Sequence, residues 1–153
     1  TWVDHLDPRL PPSRFKNGRG YLVDLVTPVR RRTDSNPMPM NNLQAGAAPL
    51  QYLDWLIADP VPAAALWGSG ILVRVPQPAR FAVHKLILAQ KRLPGSRHKR
   101  QKDLAQAKAL IEALRSEDPF ALEDALTDAR ARGQEGWVRP LARSLKEIGE
   151  TDL

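Results

Sequence analysis

Apolar positions after Pro78 recur every three or four residues, which is the spacing of one face of a helix. Prolines and glycines divide this part of the chain into four such segments. Their apolar faces consist of Phe81, Val83, Leu86 and Ile87; of Leu104, Ala107, Ile111 and Leu114; of Leu122, Ala125, Leu126 and Ala129; and of Val138, Leu141, Leu145 and Ile148. Short turns join the segments, so the pattern predicts an antiparallel four-helix bundle over residues 78–153.

The first half of the chain has a different pattern. Eleven of the 14 prolines lie in residues 1–79, which favours strands and loops there. Residues 13–16 and 21–26 flank Asn17-Gly18-Arg19-Gly20, a turn that is typical of a β-hairpin. The remaining predicted elements are a surface loop at 29–48, a short helix at 49–58, and a second hairpin with strands at 63–66 and 71–75. The sequence therefore predicts an α+β protein.

Composition narrows the class of protein. Of the 153 residues, 42% are hydrophobic and 26% are charged, as in ordinary folded domains, and none is cysteine. The absence of cysteine excludes a disulfide scaffold, a thiol nucleophile and cysteine-ligated zinc, and it suits a reducing, cytoplasmic location. No apolar run approaches the roughly 18 residues of a membrane span. Because the chain begins at Thr1 without an initiator methionine or a signal segment, we expect a part of a longer protein or a processed product.

Positive charge is concentrated in residues 80–102. The whole chain has a net charge of +6, whereas this stretch alone has eight basic side chains and no acidic one. The basic residues are Arg80, Lys85, Lys91, Arg92, Arg97, Lys99, Arg100 and Lys102. Such a concentration attracts a polyanion, whether a nucleoside triphosphate, a nucleic acid or an acidic partner surface. The alternative is a solvated helix end and loop without a ligand.

Asp24 is the most informative residue of the first half, because it interrupts an apolar strand. A carboxylate is costly to bury unless it is paired or binds a metal. It could be one oxygen ligand of Mg²⁺, which prefers carboxylate, water and phosphate oxygens. Alternatively, strand alternation puts Asp24 on a solvated face together with Leu22 and Val26.

A second group of candidates lies on the first helix after Pro78. Arg80 and His84 are four residues apart and share a face. Lys85, at the margin of the apolar face, can bury its stem and offer its ammonium to phosphate, or it can simply reach solvent. Asp103 is either a first-turn acid of the next helix or an ion-pair partner that orients Lys85 or Arg80. Zinc-ligand spacing, a P-loop, a G-x-G-x-x-G loop and a G-x-S-x-G elbow are all absent.

Three segments together resemble one protein family. They are GYLVDLVTP at residues 20–28, VRVPQPARFAVHKLI at 73–87 and KRQKDLAQA at 99–107. In this order they resemble bacterial nucleotidyltransferase-fold proteins of the DNA polymerase β-like superfamily and, distantly, the AbiEii-type toxins. The resemblance begins at about Phe15 and covers nearly all of the chain after it. It implies that residues 1–77 are the last strands of a nucleotidyltransferase-type mixed sheet with a short helix, and that residues 78–153 are a helical domain that clamps the nucleotide.

The resemblance also implies a chemistry. In that superfamily three carboxylates hold two Mg²⁺ ions, which bind an NTP and activate an acceptor hydroxyl. Asp24 then corresponds to the third carboxylate, Lys85 meets the triphosphate, and Asp103 supports Lys85. The remaining residues expected at the nucleotide are Arg80, His84, Lys99 and Lys102.

One part of the family pattern is missing from the chain. It contains no Gly-Ser followed by Asp-x-Asp, the motif that carries the other two carboxylates. We expect that motif upstream of Thr1, in which case the chain is the C-terminal portion of a nucleotidyltransferase and is inactive alone. The acceptor could be a tRNA or a protein. The alternatives are a non-catalytic nucleic-acid-binding module built on the basic stretch and an antitoxin-like interaction protein.

Overall fold

The structure, a computed structural model, describes residues 9–31 and 35–153. These residues form an α+β protein, as predicted, with five α-helices and, in place of the single mixed sheet that was expected, several small sheets. None of the helices in the described residues combines the length and the apolar character needed to cross a membrane. The chain divides into two compact units, one ending at Trp55 and the other covering Leu56–Leu153. The domain boundary predicted between residues 77 and 78 stays a prediction.

The described part of the first unit is built from short strands. They are β1 (Arg14–Lys16), β2 (Leu22–Asp24), β3 (Val26–Pro28), β4 (Met38–Met40) and β5 (Ala45–Leu50), and the short helix α1 (Leu53–Leu56) follows. β1 and β2 pair antiparallel, and Asn17 Oδ1 accepts hydrogen bonds in their turn from the backbone N–H groups of Arg19 and Tyr21. Asparagine favours turns because its side chain bonds the nearby backbone in this way. The predicted hairpin is confirmed, but the single strand predicted at 21–26 forms two, β2 and β3.

A strand of small residues is the centre of the second sheet. β5 lies between β3 and β4, parallel to the former and antiparallel to the latter. Its Ala45 and Ala47 are buried, and a Cβ added to Gly46 between them would lie 2.5 Å from the Pro11 carbonyl oxygen. The backbones approach too closely there for any larger residue. The surface loop predicted at 29–48 is therefore wrong where β4 and β5 form.

The second unit consists of a hairpin followed by helices. Its elements are β6 (Val61–Ala65), β7 (Ile71–Val75), α2 (Pro78–Lys91), α3 (Arg97–Glu117), α4 (Pro119–Arg130) and α5 (Arg139–Ile148). β6 and β7 pair antiparallel around Gly68 and Gly70, which both have positive φ, so this predicted hairpin is confirmed. Pro119 opens α4 behind Asp118, whose side chain accepts a hydrogen bond from the N–H of Ala121.

α2 is the central helix of the second unit. It contacts α3, α4 and α5, and its Ala82, Val83, Leu86 and Ile87 are completely buried. Burial of each larger aliphatic side chain contributes roughly 1.5–3 kcal/mol, so the predicted apolar face of this helix is its main source of stability. The four predicted helices are confirmed as elements, whereas their arrangement as an antiparallel bundle stays a prediction.

Two predicted element bounds are corrected by the structure. Of the helix predicted at 49–58, only α1 (Leu53–Leu56) is helical, because the preceding strand continues to Leu50. The helix predicted to begin at Asp103 begins at Arg97, directly after a 3₁₀ turn at Pro94–Ser96. Asp103 lies in the second turn of α3, so its interpretation as a first-turn acid is wrong.

Candidate functional site

The helical hairpin of α2 and α3 brings one acid and two bases together. Lys85 Nζ on α2 lies 2.8 Å from Asp103 Oδ1 on α3, and Arg92 Nε lies 2.8 Å from Asp103 Oδ2. The Asp103 side chain is 3% exposed, while those of Lys85 and Arg92 are 17% and 32% exposed. The predicted ion pair of Lys85 with Asp103 is confirmed. We call these three residues the Asp103 cluster.

Arg92 is the member of the cluster that sequence reasoning missed. It lies immediately after α2, seven residues after Lys85. Two helical turns separate positions seven apart, so they lie on nearly the same face. That spacing within the basic stretch is the signal that could have identified Arg92.

The Asp103 cluster carries a net positive charge. Burial alone raises the pKa of the Asp103 carboxyl, but the hydrogen bonds from Arg92 and Lys85 outweigh it and lower that pKa below its usual value. One carboxylate thus faces two cations at neutral pH. The ammonium of Lys85 also lies 5.1 Å from the centre of the Phe81 ring, a cation–π contact that helps to hold it in place. Both cations keep donors free, since an ammonium has three and a guanidinium five.

His84 is buried beside this cluster and is neutral at physiological pH. Burial and, to a smaller extent, the positive charge of Lys85 together lower its pKa to about 4, while the Asp103 carboxylate acts in the opposite sense. Its Nδ1 is buried and has no hydrogen-bond partner among the described residues. A neutral imidazole offers a ligand no charge. Its predicted place at the nucleotide stays a prediction.

Arg80 belongs to a different group of charges. Its guanidinium Nη1 lies 3.3 Å from Asp128 Oδ2 on α4. Both residues line an open cleft of about 510 Å³ together with Asp59, Gln77 and Asp124. Because carboxylates dominate this cleft, Arg80 is largely neutralised and is a weaker candidate for binding a triphosphate than Lys85.

Four cations of the basic stretch lie on the surface. Arg97, Lys99 and Lys102 are exposed on the first two turns of α3, and Lys91 is exposed at the end of α2. No carboxylate of the described residues lies within 4 Å of them. The first turn of α3 has no acidic residue, although the positive end of the helix dipole favours one there. We call Lys91, Arg97, Lys99 and Lys102 the basic surface.

Asp24 lies in the first unit, in an ion pair across β1 and β2. Arg14 Nε lies 2.5 Å from Oδ1 and Arg14 Nη2 lies 2.9 Å from Oδ2, with side chains 55% and 47% exposed. The hydrogen bonds from Arg14 lower the pKa of the Asp24 carboxyl. The predicted alternative, a solvated sheet face, is confirmed, since Leu22 and Val26 are exposed as well. Arg14 is the second interacting residue that sequence reasoning missed.

Asp24 has the chemistry of a magnesium ligand, but a single carboxylate is too few to form a magnesium site. It is an ionised, solvent-accessible carboxylate, the kind of hard oxygen ligand that Mg²⁺ prefers. Within residues 9–31 and 35–153, however, no group of three or more aspartate, glutamate, histidine or cysteine residues could hold a metal ion. Asp24 can supply one ligand and cannot form a metal site alone.

A family model described as nucleotidyltransferase matches residues 2–131 of the chain. The chain belongs to the nucleotidyltransferase family. No curated protein and no solved structure matches it. The matched region contains Asp24 and the whole Asp103 cluster, and it ends before α5. The expectation of a nucleotidyltransferase-type protein is thereby confirmed.

Beyond the matched residues, α5 of this nucleotidyltransferase is fastened to α2 and α3. Ser144 is completely buried; its Oγ donates to the Leu86 carbonyl oxygen at 2.7 Å and accepts from Gln90 Nε2 at 2.9 Å. Glu147 accepts hydrogen bonds from both terminal nitrogens of Arg100, one of them at 2.7 Å. α5 therefore holds the C-terminal half of α2 in place, and its Glu147 neutralises one more cation of the basic stretch.

Proposed function

We propose that the Asp103 cluster binds the triphosphate of an NTP, and that the protein transfers the nucleotidyl group to an acceptor hydroxyl. The observation that carries the proposal is a buried carboxylate that holds two partly exposed cations, within a chain of the nucleotidyltransferase family. A site of net positive charge with free donors suits the oxygens of a polyphosphate.

Each residue of the cluster has a distinct task in this proposal. Asp103 holds both cations in position, so little side-chain entropy is lost when the ligand arrives. Lys85 acts as a compact point charge, and Arg92 offers a planar fork to two oxygens. His84 contributes a neutral hydrogen bond, and Arg80 a partly neutralised charge. Lys99 and Lys102 attract the polyanion from a distance.

Magnesium is part of the proposal, with Asp24 as its ligand in this chain. When bound, the ion would neutralise the charge that develops on the phosphoryl oxygens. Asp24 orients towards solvent and stays ionised, and further ligands would come from groups other than the described residues. Asp24→Asn in the complete enzyme is expected to abolish transfer and to leave the fold intact.

A more specific assignment of the protein is proposed from the sequence resemblance alone. We propose a bacterial, cytoplasmic protein of the DNA polymerase β-like superfamily that is distantly similar to the AbiEii-type toxins. In this proposal the chain is the C-terminal portion of the enzyme, and Gly-Ser and Asp-x-Asp are supplied by another segment or a partner. The chain alone then binds NTP without turning it over.

Calorimetric titration of the chain with an NTP and Mg²⁺ tests the triphosphate site. Lys85→Met keeps the aliphatic stem and removes the ammonium, so the Kd should rise on the order of tenfold, the effect of one charge-assisted hydrogen bond. Lys108→Met is the matched control, because Lys108 is exposed on α3, where its ammonium lies 4.0 Å from Glu112. Unchanged affinity in Lys85→Met, with helical content retained, would contradict the proposal, as would no binding by the wild type.

A nucleic-acid acceptor such as tRNA is the second candidate function, and the basic surface favours it. Four exposed cations with no carboxylate of the described residues within 4 Å suit a phosphate backbone. The logarithm of RNA affinity should fall linearly with the logarithm of salt concentration. Lys99→Ala with Lys102→Ala should reduce that slope by about two for all sequences alike. An unchanged slope would favour a protein acceptor or an interaction module.

A further inference from the structure

The β6–β7 hairpin is a two-stranded sheet that exposes large apolar side chains. Within the described residues its strands pair only with each other, and no helix of the second unit packs extensively against either of them. Four large apolar side chains at its tip are more than half exposed, namely Leu66, Trp67, Ile71 and Leu72. A two-stranded sheet is marginally stable alone and gains stability when further strands extend an apolar face. The hairpin is therefore suited to bind another strand.

The two edges of this hairpin differ in their ability to accept another strand. β6 contains Pro62, which has no N–H group to donate. β7 contains no proline, Arg74 is its only charged residue, and its pairing with β6 runs without a bulge. Natural proteins protect exposed strand edges with prolines, charges or bulges. β7 is thus the edge of the hairpin that is open to strand pairing.

The sequence of β7 is compatible with antiparallel pairing to a copy of itself. With the register centred on Val73, Ile71 of each copy lies opposite Val75 of the other, so apolar residues face each other. Leu72 then lies opposite Arg74, whose aliphatic stem can cover it. The two Arg74 side chains are not direct partners, so no like charges lie opposite each other.

Pairing of two hairpins would also join two apolar faces into one. The register of β6 and β7 places six residues without a polar side chain on the same face: Val61, Ala63, Ala65, Ile71, Val73 and Val75. At roughly 150–250 Å² for each large side chain, the four exposed tip residues present roughly 600 Å² of apolar surface. That is about the largest apolar patch of a typical monomer, and two copies supply about the 1,200 Å² at which specific interfaces begin.

We infer that the β6–β7 hairpin is a dimerisation element, in which β7 pairs antiparallel with β7 of a second copy about a two-fold axis at Val73. A two-fold contact uses the same surface of both copies, and the symmetric register of β7 satisfies this condition. Because the two strands run in opposite directions, the helices of the two copies attach at opposite ends of a four-stranded sheet. The inference goes beyond the proposed nucleotidyl transfer and does not depend on it.

Sedimentation equilibrium of the whole chain measures this association. Between about 1 μM and about 1 mM, the span of moderate to weak Kd values, the average mass should rise from that of one chain towards that of two. Leu72→Glu and Leu72→Arg are a matched pair, because both remove the same exposed apolar group and differ in the sign of the charge. Opposite Arg74 of the other copy, the introduced carboxylate attracts and the introduced guanidinium repels. The Kd of Leu72→Arg should exceed that of Leu72→Glu on the order of tenfold, since the symmetry makes this contact twice.

Leu93→Glu and Leu93→Arg are the controls for net charge. Leu93 lies outside the hairpin and is exposed about as much as Leu72, so both controls should have the Kd of the wild type. Hydrogen exchange of the wild type adds a measurement that needs no variant. Raising the protein concentration should slow the exchange of β7 amides that point away from β6 and leave that of α4 unchanged.

Three results would overturn the inference. A chain that is still monomeric at about 1 mM forms no such dimer. Equal Kd values for Leu72→Glu and Leu72→Arg, with helical content retained, would mean that the copies associate through another surface or in another register. Slowed exchange at high concentration that spares β7 would likewise assign the contact to another surface. The triphosphate site is judged separately, by the Lys85→Met titration.

Discussion

Acidification should destabilise the helical unit through the burial of His84. The side chain is 9% exposed on α2, and within residues 9–31 and 35–153 its Nδ1 finds no hydrogen-bond partner. Burial and the positive charge of Lys85 are the main reasons why its pKa falls to about 4; Arg92 acts in the same sense and Asp103 in the opposite one. In the unfolded chain a histidine has a pKa of about 6.5.

The sign and size of the effect follow from this difference. Between about pH 6.5 and pH 4 the unfolded chain binds a proton that the folded chain does not, so stability falls as the pH falls through this window. From about pH 7.5 to about pH 5 the two pKa values give a loss of about 2 kcal/mol, and below pH 4 the loss levels off at about 3 kcal/mol.

Urea unfolding followed by circular dichroism at 222 nm measures this loss, because the long helices all lie in the second unit. The informative variant is His84→Leu, which fills the site with a side chain that does not titrate. It should remove about 2 kcal/mol of the difference between pH 7.5 and pH 5. His98→Leu, at an exposed position of α3, is the control and should behave as the wild type does.

Two results would refute the reasoning. If His84→Leu keeps the full pH dependence, other groups cause it. If an NMR titration of the His84 imidazole finds a pKa near 6.5, the side chain is not desolvated as the structure has it. Both substitutions leave every carboxylate of the chain in place, so the comparison isolates the imidazole that each one removes.

Further predictions concern the contacts between helices. Asp103→Asn leaves Lys85 and Arg92 without their carboxylate and should lower the free energy of unfolding at pH 7 by about 3 kcal/mol, as measured by urea unfolding. A loss below about 1 kcal/mol would mean that both cations reach water freely. The pKa of Asp103 is lowered in the folded chain, so its contribution to the free energy of unfolding is present above about pH 4 and is lost as the pH falls through the folded pKa. Asp103→Asn should not show this loss. Ser144→Ala removes the link from α5 to Leu86 and Gln90 and should cost about 1 kcal/mol, again by urea unfolding. No loss would mean that this buried link does not contribute to holding α5 in place.

The helices were predictable from the sequence because each buries a stripe of large apolar side chains at a fixed spacing. β4 and β5 were not, because the buried residues of β5 are Ala45, Gly46 and Ala47. Residues this small give no alternation of large apolar and polar positions. The reason for their size is a close approach of two backbones, which depends on contacts distant in sequence.

Only part of the candidate site was predictable from the sequence. The observed register is centred on Arg19, whereas the strands predicted at 13–16 and 21–26 would pair Arg14 with Val23, so the pairing of Arg14 with Asp24 did not follow from the sequence. The contact of Lys85 with Asp103 was predicted as an ion pair across two helices. The pairing of Asp103 with Arg92 as well depends on where α3 begins, and the N-cap residue Ser96 makes no side-chain hydrogen bond that fixes that start.

Folding redistributes the positive charge that dominates residues 80–102. Asp103, Asp128 and Glu147, all from later helices, pair with four of the eight cations. The remaining charge has two locations, the partly buried Asp103 cluster and the exposed basic surface. The salt dependence of binding distinguishes the two locations, because exposed charges are screened over about 8 Å at physiological ionic strength and buried charges are screened much less. NTP binding that survives high salt therefore belongs to the Asp103 cluster, and binding that disappears belongs to the basic surface.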